Sequence, residues 1–227
     1  MVTKMKQEGD ETVEIELRRE RPEDYRETEE VVREAFWNHF APGCDEHYLL
    51  HVMRGCPAFL PELDIVAVFE GRIVGNVDYT RAAVLGDDGA KREVLALGPI
   101  AVLPEFQGRG VGGKLIGHTK ELACKMGYEA IFLYGDPEYY GRHGFVPAER
   151  FGIRTADDMY AAAHQVLVLR EHALDGIRGR YVEDSVFEFD RAASEAFDRT
   201  FPYREKVSGT PSQKRFEQVV AMRRAAL

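Results

Sequence analysis

The stretch Leu103-Pro104-Glu105-Phe106-Gln107-Gly108-Arg109-Gly110-Val111-Gly112-Gly113-Lys114 carries the strongest chemical signal in this 227-residue chain. Four of the six residues from Gly108 to Gly113 are glycine, where a plain strand-to-helix corner needs one or two. Glycines let a backbone approach an anion closely, and a helix start offers unpaired N–H groups with a partial positive charge. The chemistry implied is phosphate binding. Two phosphate patterns fit only in part. Gly108 to Gly113-Lys114 matches most of a P-loop, but Leu115 stands where Ser or Thr must ligate Mg²⁺. Gly108-x-Gly110-x-x-Gly113 matches the dinucleotide fingerprint, which normally opens a βαβ unit; here about 100 residues and an antiparallel hairpin come first.

A second group follows at Tyr139-Tyr140-Gly141-Arg142-His143-Gly144-Phe145. A phenol, with a pKa of about 10, is matched to protonating a departing thiolate. The competing use of such tyrosines is packing with the hydroxyl at the surface. Phe36, Trp37, His39, Phe40 and His47 form a third cluster, whose helical spacing suits either a core or a pocket.

These groups must be held by regular elements. Val13–Leu17 alternates as a half-buried strand does. Pro22-Glu23-Asp24 opens a helix with Val31, Val32, Ala35, Phe36 and Phe40 on one face. A short helix is expected over Glu46–Met53. Asp64–Phe69 and Ile73–Tyr79, parted by Glu70-Gly71-Arg72, read as a β-hairpin. Val94–Val102 is an almost wholly apolar central strand, interrupted by Gly98-Pro99, a pair that marks a bulge or an edge. A helix over 111–125 follows the glycine turn and stops at Gly127. Then come a strand at Ala130–Tyr134, a short helix near Pro137–Arg142, and late strands at Phe145–Pro147 and Gln165–Leu169.

The expected organisation is a flexible N-terminus over 1–12, a mixed α/β (α+β) domain over 13–172, and a C-terminal extension over 173–227. The extension holds Val182–Phe189, a helical stretch from Asp190 to Phe201, and a basic terminal helix ending Met222-Arg223-Arg224. It is expected to pack on the core or on a partner subunit, which leaves a homodimer open.

Composition narrows the class. A hydrophobic fraction of 44% and a charged fraction of 30% are those of a soluble globular protein. The net charge of −9 argues against nucleic-acid binding and suits solubility or cationic amines. Cys44, Cys56 and Cys124 are odd in number and in no CxxC spacing, against a zinc site and for a reducing compartment. No apolar run reaches the roughly 18 residues that span a bilayer. The polar, acidic start has no signal-peptide core, so no membrane association and a cytoplasmic location are expected.

Gln107-x-x-Gly110-x-Gly112 resembles the GNAT superfamily of acyl-CoA N-acyltransferases, whose signature is Arg/Gln-x-x-Gly-x-Gly/Ala between the fourth strand and the third helix. Element order extends the resemblance over about residues 13–172. It implies a GNAT-like fold with a mostly antiparallel central sheet flanked by helices. It also implies acetyl-CoA as co-substrate, with no metal. The pyrophosphate would lie on Gln107, Gly108, Arg109, Gly110, Val111 and Gly112, and pantetheine would pair with Ile100, Ala101 and Val102. The strand pair would splay around Gly98-Pro99 to admit it.

The family's second signature places a Tyr five residues before the phenylalanine of a Gly-Phe pair. This registers Tyr140 as general acid, with Tyr139 second. Many relatives carry a glutamate on the fourth strand, where this chain has Leu95-Ala96-Leu97. Glu93, Asp78, His143 or a water chain are the candidate bases, and the backbone amide near Ile100 would polarise the thioester carbonyl. The implied reaction is direct attack by a small-molecule or peptide primary amine of unassigned identity. Two rivals are a non-catalytic acyl-CoA-binding domain, favoured by the missing glutamate, and an NAD- or nucleotide-dependent enzyme, favoured only by the overlapping glycine patterns.

Overall fold

The computed structural model describes residues 2–5 and 13–226. Its first elements are β1 (Val2–Met5), β2 (Val13–Arg19), α1 (Tyr25–Phe36), α2 (Glu46–Met53), β3 (Ile65–Phe69), β4 (Arg72–Gly86), β5 (Lys91–Val102) and α3 (Val111–Lys125). After them come β6 (Ala130–Tyr134), α4 (Pro137–Tyr140), β7 (Val146–Pro147), β8 (Ile153–Arg154), β9 (Met159–Ala161) and β10 (His164–Val168). The chain closes with β11 (Gly179–Val182), α5 (Arg191–Asp198), α6 (Pro211–Ala221) and β12 (Arg223–Ala225).

One sheet runs β1-β2-β3-β4-β5-β6-β10-β7, and β5–β6 is the parallel pair on that path. The β3–β4 hairpin turns on Glu70 and Gly71, with φ of 49° and 82°, the two-residue geometry that matches strand twist. Within the N-terminal end expected to be flexible, residues 2–5 pair antiparallel with β2. Residues 1 and 6–12 of that segment lie outside the described residues.

Helices cover both faces of the sheet. Tyr79 on β4 donates or accepts a 2.7 Å hydrogen bond with Thr119 of α3, whereas Asp78, one residue earlier, lies beside Met53 of α2. Alternation along β4 therefore separates an α3 face from an α1/α2 face. Helix α3 buries Leu115, Ile116, Thr119 and Ala123, a stripe at helical spacing. Each fully buried leucine or isoleucine there contributes about 1.5–3 kcal/mol.

Residues after 172 extend this framework. Strand β11 pairs antiparallel with the far half of β4, and its Tyr181 stacks on Phe132 at 4.8 Å between ring centroids. Helix α6 starts at Thr210, whose side chain caps Gln213 N while Gln213 answers in a capping box. The terminal helix expected to reach Arg224 instead ends at Ala221. Met222 leaves helical geometry with ψ of 69°, and Arg223–Ala225 pairs with Met159–Ala161. Strand pairing with β9 satisfies backbone groups there that another helical turn would leave in solvent.

Candidate functional site

The central feature is a gap that opens in the sheet at the Gly98-Pro99 pair. Val77 faces Ile100 and Tyr79 faces Leu97, so Gly98 and Pro99 together oppose the single residue Asp78. This is a β-bulge, and it places proline where no ladder donor is needed. Strand β5 pairs with β6 only at Leu95 and Ala96. Beyond Ala96 the two strands diverge, and among the described residues no ladder joins them.

The register decides which backbone groups face the gap. Leu103 N donates to Val74 O at 2.9 Å, so the ladder turns Ala101 toward β4 and turns the N–H and C=O of Ile100 and Val102 away from it. Of the three residues expected to pair with an extended ligand, Ile100 and Val102 present their backbones to the opening and Ala101 does not. Gln107 Nε2 donates to Val102 O at 2.9 Å, bracing the glycine turn against the strand end.

The turn itself ends on Gly110, the residue before α3, with φ of 80°; Gly108 has φ of 71°. No side chain caps this helix and its first turn holds no acid. The amides of Val111, Gly112 and Gly113 thus begin a 15-residue helix with its positive end free of an internal anion. Arg109 lies over the Phe106 ring at 5.7 Å, anchoring the turn to a phenylalanine that packs on Phe69.

Helix α4 forms the opposite wall. Asp136 caps it by accepting from Glu138 N at 2.9 Å, with Pro137 in the first helical position. Tyr140 is half-buried against Phe145 and over Gly135, where a Cβ would overlap the Tyr140 ring. Burial first, then Tyr139 and Tyr79, pushes its hydroxyl above the ordinary phenol range, so it is a proton donor at neutral pH. Tyr139 is more exposed, and its hydroxyl lies against Gly112 in the first turn of α3. The two tyrosines therefore occupy different places: Tyr139 at the helix start, Tyr140 deeper, at the end of β6.

The three candidate bases are not brought together. Glu93 is exposed on β5, five residues before Gly98 and hence about 16 Å along the strand. His143 packs beside Gly113 in the first turn of α3, its pKa lowered by burial and then by Arg142. Asp78 sits directly at the bulge, fully buried, and neither carboxylate oxygen has a hydrogen-bond partner among the described residues. Burial pushes Asp78 well above the carboxylate range, with Arg54 opposing and Glu20 adding to the rise. Burial thus favours the neutral, protonated form of Asp78 and works against its use as a base.

The early aromatic cluster divides. Trp37 is buried and donates from Nε1 to Glu205 O at 2.8 Å, and His47 is buried between Phe197 and Phe201. His39 and Phe40 instead line a cavity of about 480 Å³ beyond the end of β6, together with Tyr134–Asp136, the 155–163 segment and helix α6. Arg215 of α6 grips Asp136 with two hydrogen bonds of 2.7 and 2.9 Å, holding its carboxyl below the usual range. The extension is thereby tied to the cap of the tyrosine helix. Sequence reading had not singled out Asp136 or Arg215. Asp-Pro before a helix is a local cap signature that marks the first; nothing local marks the second.

Among the described residues no cluster of three or more His, Cys, Asp or Glu could hold a metal, and no helix is long and apolar enough to cross a membrane.

Comparison with known proteins places the geometry in context. The acetyltransferase (GNAT) domain model matches residues 62–147, from the β3–β4 hairpin through β7. The uncharacterized N-acetyltransferase YjhQ of Escherichia coli K12 is 44% identical over 88 residues, which are 38% of this chain and 48% of YjhQ. The uncharacterized N-acetyltransferase YhbS of the same strain is 30% identical over 110 residues, 48% of this chain and 64% of YhbS. The match thus spans about half to two thirds of these curated relatives. The crystal structure of Escherichia coli YhbS in complex with CoA superposes with a TM-score of 0.70 at 25% identity, covering 81% of this chain and 97% of that one. A GNAT family acetyltransferase from Brucella melitensis in complex with acetyl-CoA gives a TM-score of 0.60 at 27% identity, over 76% and 97% of the two chains.

Proposed function

We propose that this chain is an acetyltransferase of the GNAT superfamily and that it moves the acetyl group of acetyl-CoA to a primary amine by direct attack. The observation that carries the reading is one juxtaposition. The open backbone edge of β5, the uncapped glycine start of α3 and the Tyr140 wall all border the same gap.

The residues present fit the co-substrate. Gly108 to Gly112 offer amides and a positive helix end to the pyrophosphate, and Ile100 and Val102 offer strand-like pairing to pantetheine. Bound acetyl-CoA supplies an activated thioester carbonyl. The Ile100 N–H donates to that carbonyl oxygen, and Tyr140 gives its proton to the departing sulfur. The C–N bond forms as the C–S bond breaks, and the amine proton leaves through solvent, since Glu93 is remote and burial disfavours the charged form of Asp78. Residues 13–172 carry this chemistry, and 173–227 complete the acceptor side.

Calorimetric titration with acetyl-CoA and CoA, followed by thiol release over a panel of amines, tests the reading. Saturable binding and amine-dependent release are expected; no binding of either nucleotide at millimolar concentration overturns it. Binding without release from any amine, indifferent to Tyr140→Phe, would instead favour a non-catalytic acyl-CoA-binding domain.

A further inference from the structure

The cavity of about 480 Å³ beyond β6 lies within the range of small-molecule sites, and its walls come from four separate parts of the chain. Phe40 and Phe216 close one side with ring centroids 4.9 Å apart. Tyr134, Val219, Val220 and the alanines at 161 and 163 continue an apolar lining, and Tyr134 is backed by the buried ring of His164 at 5.0 Å. Tyr134 and Ser212 add hydroxyls.

The charges around this cavity are already matched to one another. Asp136 is held by two hydrogen bonds from Arg215. Asp157 is paired with Arg223 and accepts from Thr155 Oγ1 at 2.7 Å. Burial lowers the pKa of His39, which leaves that ring neutral at pH 7. Among the described residues that line the cavity, a guest carrying several ammonium groups would find no carboxylate without its own arginine, and each unpaired cation placed in an apolar site costs free energy. Gly135 lines the cavity, and it is the residue whose missing side chain lets the Tyr140 ring approach. An amine nitrogen at Gly135 would lie next to the ring of Tyr140, the proposed acid.

We infer that the acceptor is a monoamine, a single primary amino group on an aromatic or branched aliphatic body, with the body among Phe40, Phe216, Val219 and Val220 and the nitrogen at Gly135. The inference rests on the acetyltransferase reading and deepens it. It sets aside polyamines and aminoglycosides, in spite of the net charge of −9, because the described carboxylates lining this cavity are each paired with an arginine.

The experiment uses the full chain with acetyl-CoA and measures kcat/KM by thiol release for phenethylamine, isoamylamine, methylamine, spermidine and kanamycin. Removal of one methylene from a hydrophobic pocket costs on the order of 10–200-fold, so phenethylamine and isoamylamine should exceed the other three by at least about 10-fold. Val220 lies on the cavity wall and is 45% exposed, so Val220→Asp should fold. It should raise KM for phenethylamine about 10-fold or more with kcat little changed, and should lower KM for spermidine. Amine binding is read separately by ligand-detected NMR, with acetyl-CoA affinity by calorimetry as the control. Failure to bind acetyl-CoA would remove the acetyltransferase reading itself. Acetyl-CoA binding with preferred turnover of spermidine or kanamycin, with no NMR-detected binding of phenethylamine, or with an amine profile unmoved by Val220→Asp, would overturn the monoamine inference alone.

Discussion

The two sides of the gap are built in contrasting ways. On the donor side, one continuous stretch from β5 through α3 supplies the open strand edge, the glycine turn and the helix start. On the acceptor side, the cavity draws His39, Asp136, Asp157, Arg215 and Arg223 from segments spread across the chain. The donor side works through backbone amides, whose positions follow from local φ and ψ. The acceptor side works through side chains that become neighbours only when the sheet, the 155–163 segment and α6 have assembled. A site of the first kind changes little when surface side chains vary, while a site of the second kind can take a new substrate by changing one packed element.

Substitutions that strike one side and spare the other test the contrast. The largest effect is expected at the junction. Tyr140→Phe should lower kcat by roughly 10²–10⁴-fold with both ligand affinities kept, as loss of a positioned acid does. An equal loss of acetyl-CoA affinity would mean that Tyr140 belongs to the donor wall and not to the junction. Gly110→Val forces a β-branched residue to φ of 80°, a strain on the order of 1–3 kcal/mol. Acetyl-CoA affinity measured by calorimetry should fall about 10–100-fold while NMR-detected amine binding is unchanged. Loss of both would break the separation of the two sides.

Asp78 probes the bulge that joins them. Its folded pKa is raised, so the native state holds a proton that the unfolded chain releases above about pH 3.9. Stability from this group is therefore lost as pH rises from the unfolded value toward the folded one, by up to about 1.4 kcal/mol per pH unit. Urea midpoints of Asp78→Asn and the parent should diverge in favour of the variant between pH 5 and pH 8. Parallel curves would show that the carboxyl is charged in the native state. The smallest effect is expected at Arg215→Met, which removes the clamp on the Asp136 cap. Looser placement of the Tyr140 helix should lower kcat by less than about 10-fold, with acetyl-CoA affinity kept. Rescue by Arg215→Lys should be incomplete, because one ammonium cannot replace a two-pronged guanidinium.

The features that could be read without coordinates share one property. The hairpin at Glu70-Gly71, the bulge at Gly98-Pro99, the glycine turn and the order of elements are written in residues a few positions apart, where backbone preference acts directly. The short strands at 153–154 and 159–161 carried no such periodicity, and Arg223 and Arg224 continued a helical pattern that strand pairing overrode. Asp78 was one of three candidate bases in the sequence. The rise in its pKa comes from burial, which no spacing encodes.

By itself, then, the sequence determined the local backbone of the proposed donor side: glycines at 108, 110 and 112 allow a backbone that approaches an anion at a helix start, whatever surrounds them. Only the tertiary structure decided the cavity proposed for the acceptor. Arg215 meets Asp136 across 79 positions, and that pair, like the cavity it borders, exists because α6 packs back over the end of β6. Local chain chemistry sets where a backbone can go. Which distant side chains share a cavity, and which of their charges cancel, is settled by packing alone.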